Sequence, residues 1–127
     1  METKKLNKMK KIFPVLLVVL FMQGCATNKP NLYSWGNYEQ LIYQNYTNPG
    51  KISPEEQVLK LEADSQIAKS KNKALPPGFY AQIGSLYFQL GKLDQAKQAF
   101  ITEEKLFPES KQFMDRLIAK IKNGRAL

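Results

Sequence analysis

PGFYAQIGSLYFQLGKLDQAKQAFITEEKLFPES, residues 77–110, decides the fold. Gly78 to Gly91 reads as one helix, with Gly91 just past its end as a C-cap. A second helix starts at Leu93 and stops near Phe107-Pro108. Gly84 and Ala96 are small enough to let the two helices approach closely, while Tyr80, Tyr87 and Phe100 fill the space around them. The pair is therefore an antiparallel hairpin.

The pattern continues outward on both sides. After Pro108 a further helix runs from Glu109 towards Lys122, with Phe113, Leu117, Ile118 and Ile121 on one face, and Asn123-Gly124 ends it. Before Leu75-Pro76-Pro77-Gly78 lies a strong helix start. Ser53 stands at the N-cap, Pro54 at the first helical position, and Glu56 is placed to close a capping box. Val58, Leu61, Ala68 and Leu59, Ala63, Ile67 supply its apolar face as far as about Lys71. Lys69, Lys71 and Lys73 suit the negative pole at its end, as solvated charges or as a lipid- or partner-binding patch. Earlier still, Tyr38, Leu41, Ile42 and Tyr46 follow helical spacing until Asn48-Pro49-Gly50. Nothing reads as a strand. The expected class is all-α, a small array of about five helices in antiparallel hairpins over residues 37–127.

Residues 77–110 resemble a tetratricopeptide repeat (TPR), a helix–turn–helix unit of about 34 residues. Tyr80 stands where the repeat has tryptophan, and Ile83-Gly84 where it has Leu-Gly. Tyr87, Gly91, Ala96, Phe100 and Pro108 fall in register, whereas Glu103 replaces an alanine, which implies a looser contact or a solvent-facing edge. A single unit cannot bury its own faces, so residues 37–72 and 109–122 are expected to cover it. A five-helix domain with one TPR-like hairpin and a true repeat array both fit. The resemblance implies a partner groove lined from the first helix of the unit by Ala81, Ser85, Phe88 and Gln89. Phe88 would then meet an apolar or peptide partner, or else pack against the preceding hairpin.

The start of the chain has another character. Lys4, Lys5, Lys8, Lys10 and Lys11 precede an uncharged run from Ile12 to Met22, and Gly24-Cys25 follows. A basic start, a short apolar core and a small residue before a cut site compose an export signal. The run is too short for a spanning helix, which needs about 20 apolar residues. Gly24-Cys25 resembles a bacterial lipobox, which implies a signal peptide over 1–24 and lipidation of Cys25 with diacylglyceryl and N-acyl (palmitate-type) chains. A spare buried thiol is the alternative. Two or more chains anchor firmly, since each buried methylene contributes about 0.8 kcal/mol. Residues 25–36 then form a lipidated tether, with Thr27 to Leu32 polar and proline-containing. Ala26, where aspartate tends to retain such lipoproteins at the inner membrane, implies an outer-membrane location facing the periplasm.

Composition bounds the function. Five lysines and one glutamate fall in residues 1–24, so the remainder holds 14 basic and 10 acidic residues, a net +4 against +8 overall. Those charges are mixed rather than striped, which argues against a nucleic-acid partner. Histidine is absent, and Cys25 is the single cysteine. The commonest general base and the commonest metal ligands are thus missing, and no phosphate loop or nucleophile elbow occurs. No enzyme, metal or cofactor is expected.

The stretches YSWGNYEQLIYQNY, PPGFYAQIGSLYFQLGKLDQAKQAF and EEKLFPESKQFMDRL together resemble a family of Gram-negative lipoproteins built on a domain of unknown function. Trp35-Gly36 and Phe107-Pro108-Glu109-Ser110 are the most specific parts. That resemblance implies genes beside a lipoprotein similar to the curli secretion channel, and so an accessory role in an envelope or secretion-related assembly. The expected function is a non-catalytic adaptor for protein–protein interaction. The alternative is a structural envelope factor that binds peptidoglycan, through a sugar-stacking cleft around Trp35 and Tyr38, or stabilises an outer-membrane complex.

Overall fold

The computed structural model describes residues 31–123, and five α-helices make up most of them. They are α1 (Tyr38–Thr47), α2 (Pro54–Ser70), α3 (Phe79–Gln89), α4 (Leu93–Leu106) and α5 (Lys111–Lys122), with a short 3₁₀ turn at Pro108–Ser110. Among the described residues there is no strand, only an isolated bridge between Tyr33 and Ala74. The class is all-α, as the periodicity predicts. The expected signal segment, Cys25 and the first part of the expected tether lie outside the described residues.

Ser53 caps α2 by accepting from the Glu56 amide at 3.2 Å. The return arm of the capping box is not made, because the Glu56 carboxylate pairs instead with Lys60 at 2.9 Å. Gly91, at φ +70, closes α3 in a Schellman turn: its amide donates to the Phe88 carbonyl and that of Lys92 to Tyr87. The short connection folds α4 back onto α3. The expected close approach of Gly84 and Ala96 is present, with Ala96 and Phe100 fully buried beneath it.

Two apolar clusters result. Leu41, Val58, Leu61, Phe79, Ile83, Leu86 and Ala99 join α1, α2, α3 and α4. Ala96, Phe100, Met114 and Leu117 join α4 to α5. On α5 the packed stripe is Met114, Leu117, Ile118 and Ile121, whereas Phe113, expected on that face, is 57% exposed. One hundred degrees of rotation per residue separates Met114 from Phe113, and the longer apolar run through Met114 sets the register.

Two buried carboxylates organise the helix starts. Asp64, in the middle of α2, accepts from the Asn37 amide at 2.6 Å and from its side-chain nitrogen at 3.0 Å. That contact fixes the start of α1. Gly36, at φ +49, lies so close to Asp64 that an added Cβ would collide with the carboxylate. Ser34 donates to the Ala74 carbonyl at 2.8 Å and Trp35 stacks on Tyr38. Residues 33–36, expected to belong to the tether, are therefore part of the folded domain.

The second carboxylate corrects a sequence expectation outright. Glu103 is 2% exposed, neither loosely packed nor at a solvent edge. Its carboxylate accepts from the Gly78 amide at 2.6 Å, from Tyr80 at 3.1 Å and from Ala81 at 3.4 Å. Alanine at this position would leave the start of α3 without those partners.

Candidate functional site

Helix α2 carries more apolar surface than its own packing uses. Val58, Leu61, Asp64 and Ala68 face inward, whereas Leu59, Ala63 and Ile67, expected to share the buried face, point to solvent. Leu59 is 67% and Ile67 46% exposed. Spaced four residues apart, these three form a second stripe along the helix.

Leu59 and Ala63 edge an open trough of about 870 Å³. Its floor is α3, with Tyr80, Ile83 and Tyr87; its far wall is α4, with Asp94, Gln95, Gln98 and Thr102. The lining is apolar at the floor and mostly amide or hydroxyl at the rim. Depressions sharing its lining residues extend it at both ends: one reaches Glu55, Val58 and Lys92, the other Lys69, Lys73 and Leu75.

Tyr87 spans the trough, its hydroxyl donating to Glu62 on α2. Burial pushes its phenol up to about 12, and the Glu62 hydrogen bond and charge add to the effect. The hydroxyl therefore remains a donor at physiological pH. Lys92 lies 5.9 Å from the ring centroid, within cation–π range.

The buried carboxylates Asp64 and Glu103 are both spent on backbone amides at helix starts. Buried Gln57 is likewise engaged, donating to the Ile52 carbonyl and accepting from Asn45. Among the described residues no group of three or more His, Cys, Asp or Glu is placed to hold a metal, and no helix is long and apolar enough to cross a membrane.

The four residues singled out from the repeat register lie on a different side of α3. Ala81 and Phe88 are half-buried against the cluster of Ala96, Phe100, Met114 and Leu117. Ser85 spends its hydroxyl on the Ala81 carbonyl at 3.0 Å, and Gln89 is exposed. None of them lines the trough. In the Trp35–Tyr38 region Tyr38 lies between Trp35, stacked at 6.3 Å, and Phe79 at 5.5 Å, and it also lines a depression of about 510 Å³ with Ile42, Tyr43 and Tyr46. The trough residues Leu59, Ala63, Gln95 and Gln98 escaped the sequence reading as a site. Their one signal was the double apolar stripe on α2, which a helix with a single buried face does not need.

The model of a family described as "Domain of unknown function (DUF4810)" matches residues 32–117, and the chain belongs to that family. No curated protein and no solved structure matches the chain.

Proposed function

We propose that this member of the DUF4810 family is a non-catalytic adaptor that docks a partner lipoprotein through the trough between α2 and α4. Its anchor is the acylated Cys25, which holds the domain at the periplasmic face of the outer membrane. The α3–α4 hairpin is a TPR-type unit in this reading, supported by the packing of Gly84 against Ala96 and Phe100. The observation that carries the proposal is the open stripe of α2. Leu59, 67% exposed, adjoins Ala63 at the edge of an apolar-floored trough, and contiguous exposed apolar surface is what interaction sites are built on. The partner is an envelope lipoprotein similar to the curli secretion channel, as the family resemblance implies. Contact through the trough also fits the mixed surface charge, since attraction between exposed charges fades beyond a Debye length of about 8 Å. A durable complex needs a desolvated anchor.

Two substitutions test separate halves of the proposal. Labelled palmitate is expected to enter the wild type and not Cys25→Ser. Equal labelling of both would remove the anchor. Leu59→Asp is expected to cut co-purification of the channel-like lipoprotein by at least ~10-fold, the worth of one anchor residue, with the helical circular dichroism unchanged. Undiminished capture by a folded Leu59→Asp chain would remove the trough as the docking site.

A further inference from the structure

Resting on the docking reading above, we infer that the trough takes an amphipathic helix of the partner, lying antiparallel to α2, with an acidic first turn and a basic last turn. Periodicity is the first ground. Leu59 and Ala63 line the trough four residues apart, the spacing of the ridges by which one helix packs on another, above the apolar floor of Tyr80, Ile83 and Tyr87. Ala63 on the α2 wall and Ala99 on the α4 wall are small enough for close approach.

Length is the second ground. The trough and its two extensions follow α2 from Glu55 to Lys69, which at 1.5 Å per residue is about 21 Å, or about four helical turns.

Charge supplies the orientation. Near the start of α2 the lining holds Glu55 and Asp94, with Lys92 the one cation among them, and Glu62 stands at the middle of the helix. Lys92 is also drawn over the Tyr87 ring. At the other end the lining charges are Lys69 and Lys73. Helix dipoles favour acids in a first turn and bases in a last turn, and α2 itself follows the rule with Glu55, Glu56 and Lys69. A partner helix of the same polarity meets opposite charges at both ends only when antiparallel. Laid parallel, it would meet like charges at both ends. The apolar stripe provides the affinity, and the end charges choose the direction.

The test uses the full chain purified in detergent and three synthetic helices of about 14 residues. The first has an apolar stripe, an acidic first turn and a basic last turn. The second has the end charges exchanged, and the third has the stripe replaced by glutamine. By fluorescence anisotropy the first two are both expected to bind, the first antiparallel to α2 and the second parallel, each more weakly as salt rises to ~0.5 M. The third should not bind. In a chain carrying Lys69→Glu, Lys73→Glu and Asp94→Lys the direction in which the first helix lies should invert. A label on the last turn of the first helix should crosslink near Gln95 rather than near Lys69. A last-turn label on the first helix that crosslinks near Lys69 instead, or no binding of either helix up to ~1 mM, would overturn the inference. Leu59-dependent self-association would also overturn it, by identifying a second copy as the occupant. The docking reading is judged separately, by capture with Leu59→Asp.

Discussion

Glu103→Ala is expected to destabilise the domain by about 3 kcal/mol or more. Three backbone amides at the start of α3 would lose an acceptor that is both charged and buried. Hydrogen bonds to charged groups contribute about 1.5–3 kcal/mol, and leaving a buried donor unpaired costs about 1–3 kcal/mol. Water entering the vacated space offsets part of that loss, which keeps the estimate below a simple sum. Glu103→Gln should fall between, since only one of its two polar atoms can accept from the amides. Lys105→Ala, two residues on and exposed, should stay within about 0.5 kcal/mol of the wild type. For a domain of this size about 3 kcal/mol corresponds to a fall of more than about 10 °C in Tm. A Glu103→Ala melt within a degree or two of the wild type would mean that α3 does not depend on this cap.

Gly84→Ala is expected to cost about 2 kcal/mol, against its helix propensity. Alanine is favoured over glycine inside a helix by about 1 kcal/mol. Here, however, the new Cβ would stand 2.5 Å from Phe100 Cε1, 2.7 Å from its Cδ1 and 3.1 Å from the Ala96 carbonyl oxygen. Phe100 is fully buried with Met114 and Leu117, so its ring has no free volume to move into. Overpacking of this kind costs about 1–3 kcal/mol, sometimes more, and outweighs the propensity gain. Gly84→Leu should go further and separate α3 from α4. Combining Gly84→Ala with Phe100→Leu should recover part of the loss, because the smaller side chain relieves the contact, and a double-mutant cycle in urea measures that coupling. Strict additivity would show that Gly84 and Phe100 do not meet.

Much of the fold was legible because local chemistry dictates it. Ser53-Pro54 and Gly91 mark helix ends by rules that need no tertiary partner, and the helices fall where those rules put them. Contacts between distant residues were not legible. Glu103 looked out of place beside Ala99 and Phe100 because its partners, the amides of Gly78, Tyr80 and Ala81, lie 22–25 residues earlier. Asp64 was invisible for the same reason, since its partner Asn37 is 27 residues away. Gly36 was notable in the sequence, yet only the Asp64 carboxylate beside it explains why glycine stands there. For the candidate site, the apolar content of α2 was readable, but its division into a covered and an open stripe was not. Leu59 and Val58 are both apolar, and only the direction of each from the helix axis, relative to α3, separates the exposed side chain from the buried one.

The central claim is that partners meet the domain at the trough and not at the opposite face of α3. Gln98 on the trough wall and Gln89 on the face marked by the repeat register are both exposed glutamines, so a photocrosslinking amino acid at either should leave the fold intact. In intact cells, irradiation should give a crosslink between the Gln98 variant and the channel-like lipoprotein, and none from the Gln89 variant. A crosslink from Gln89 with none from Gln98 would contradict the account and return the binding surface to Phe88 and its neighbours.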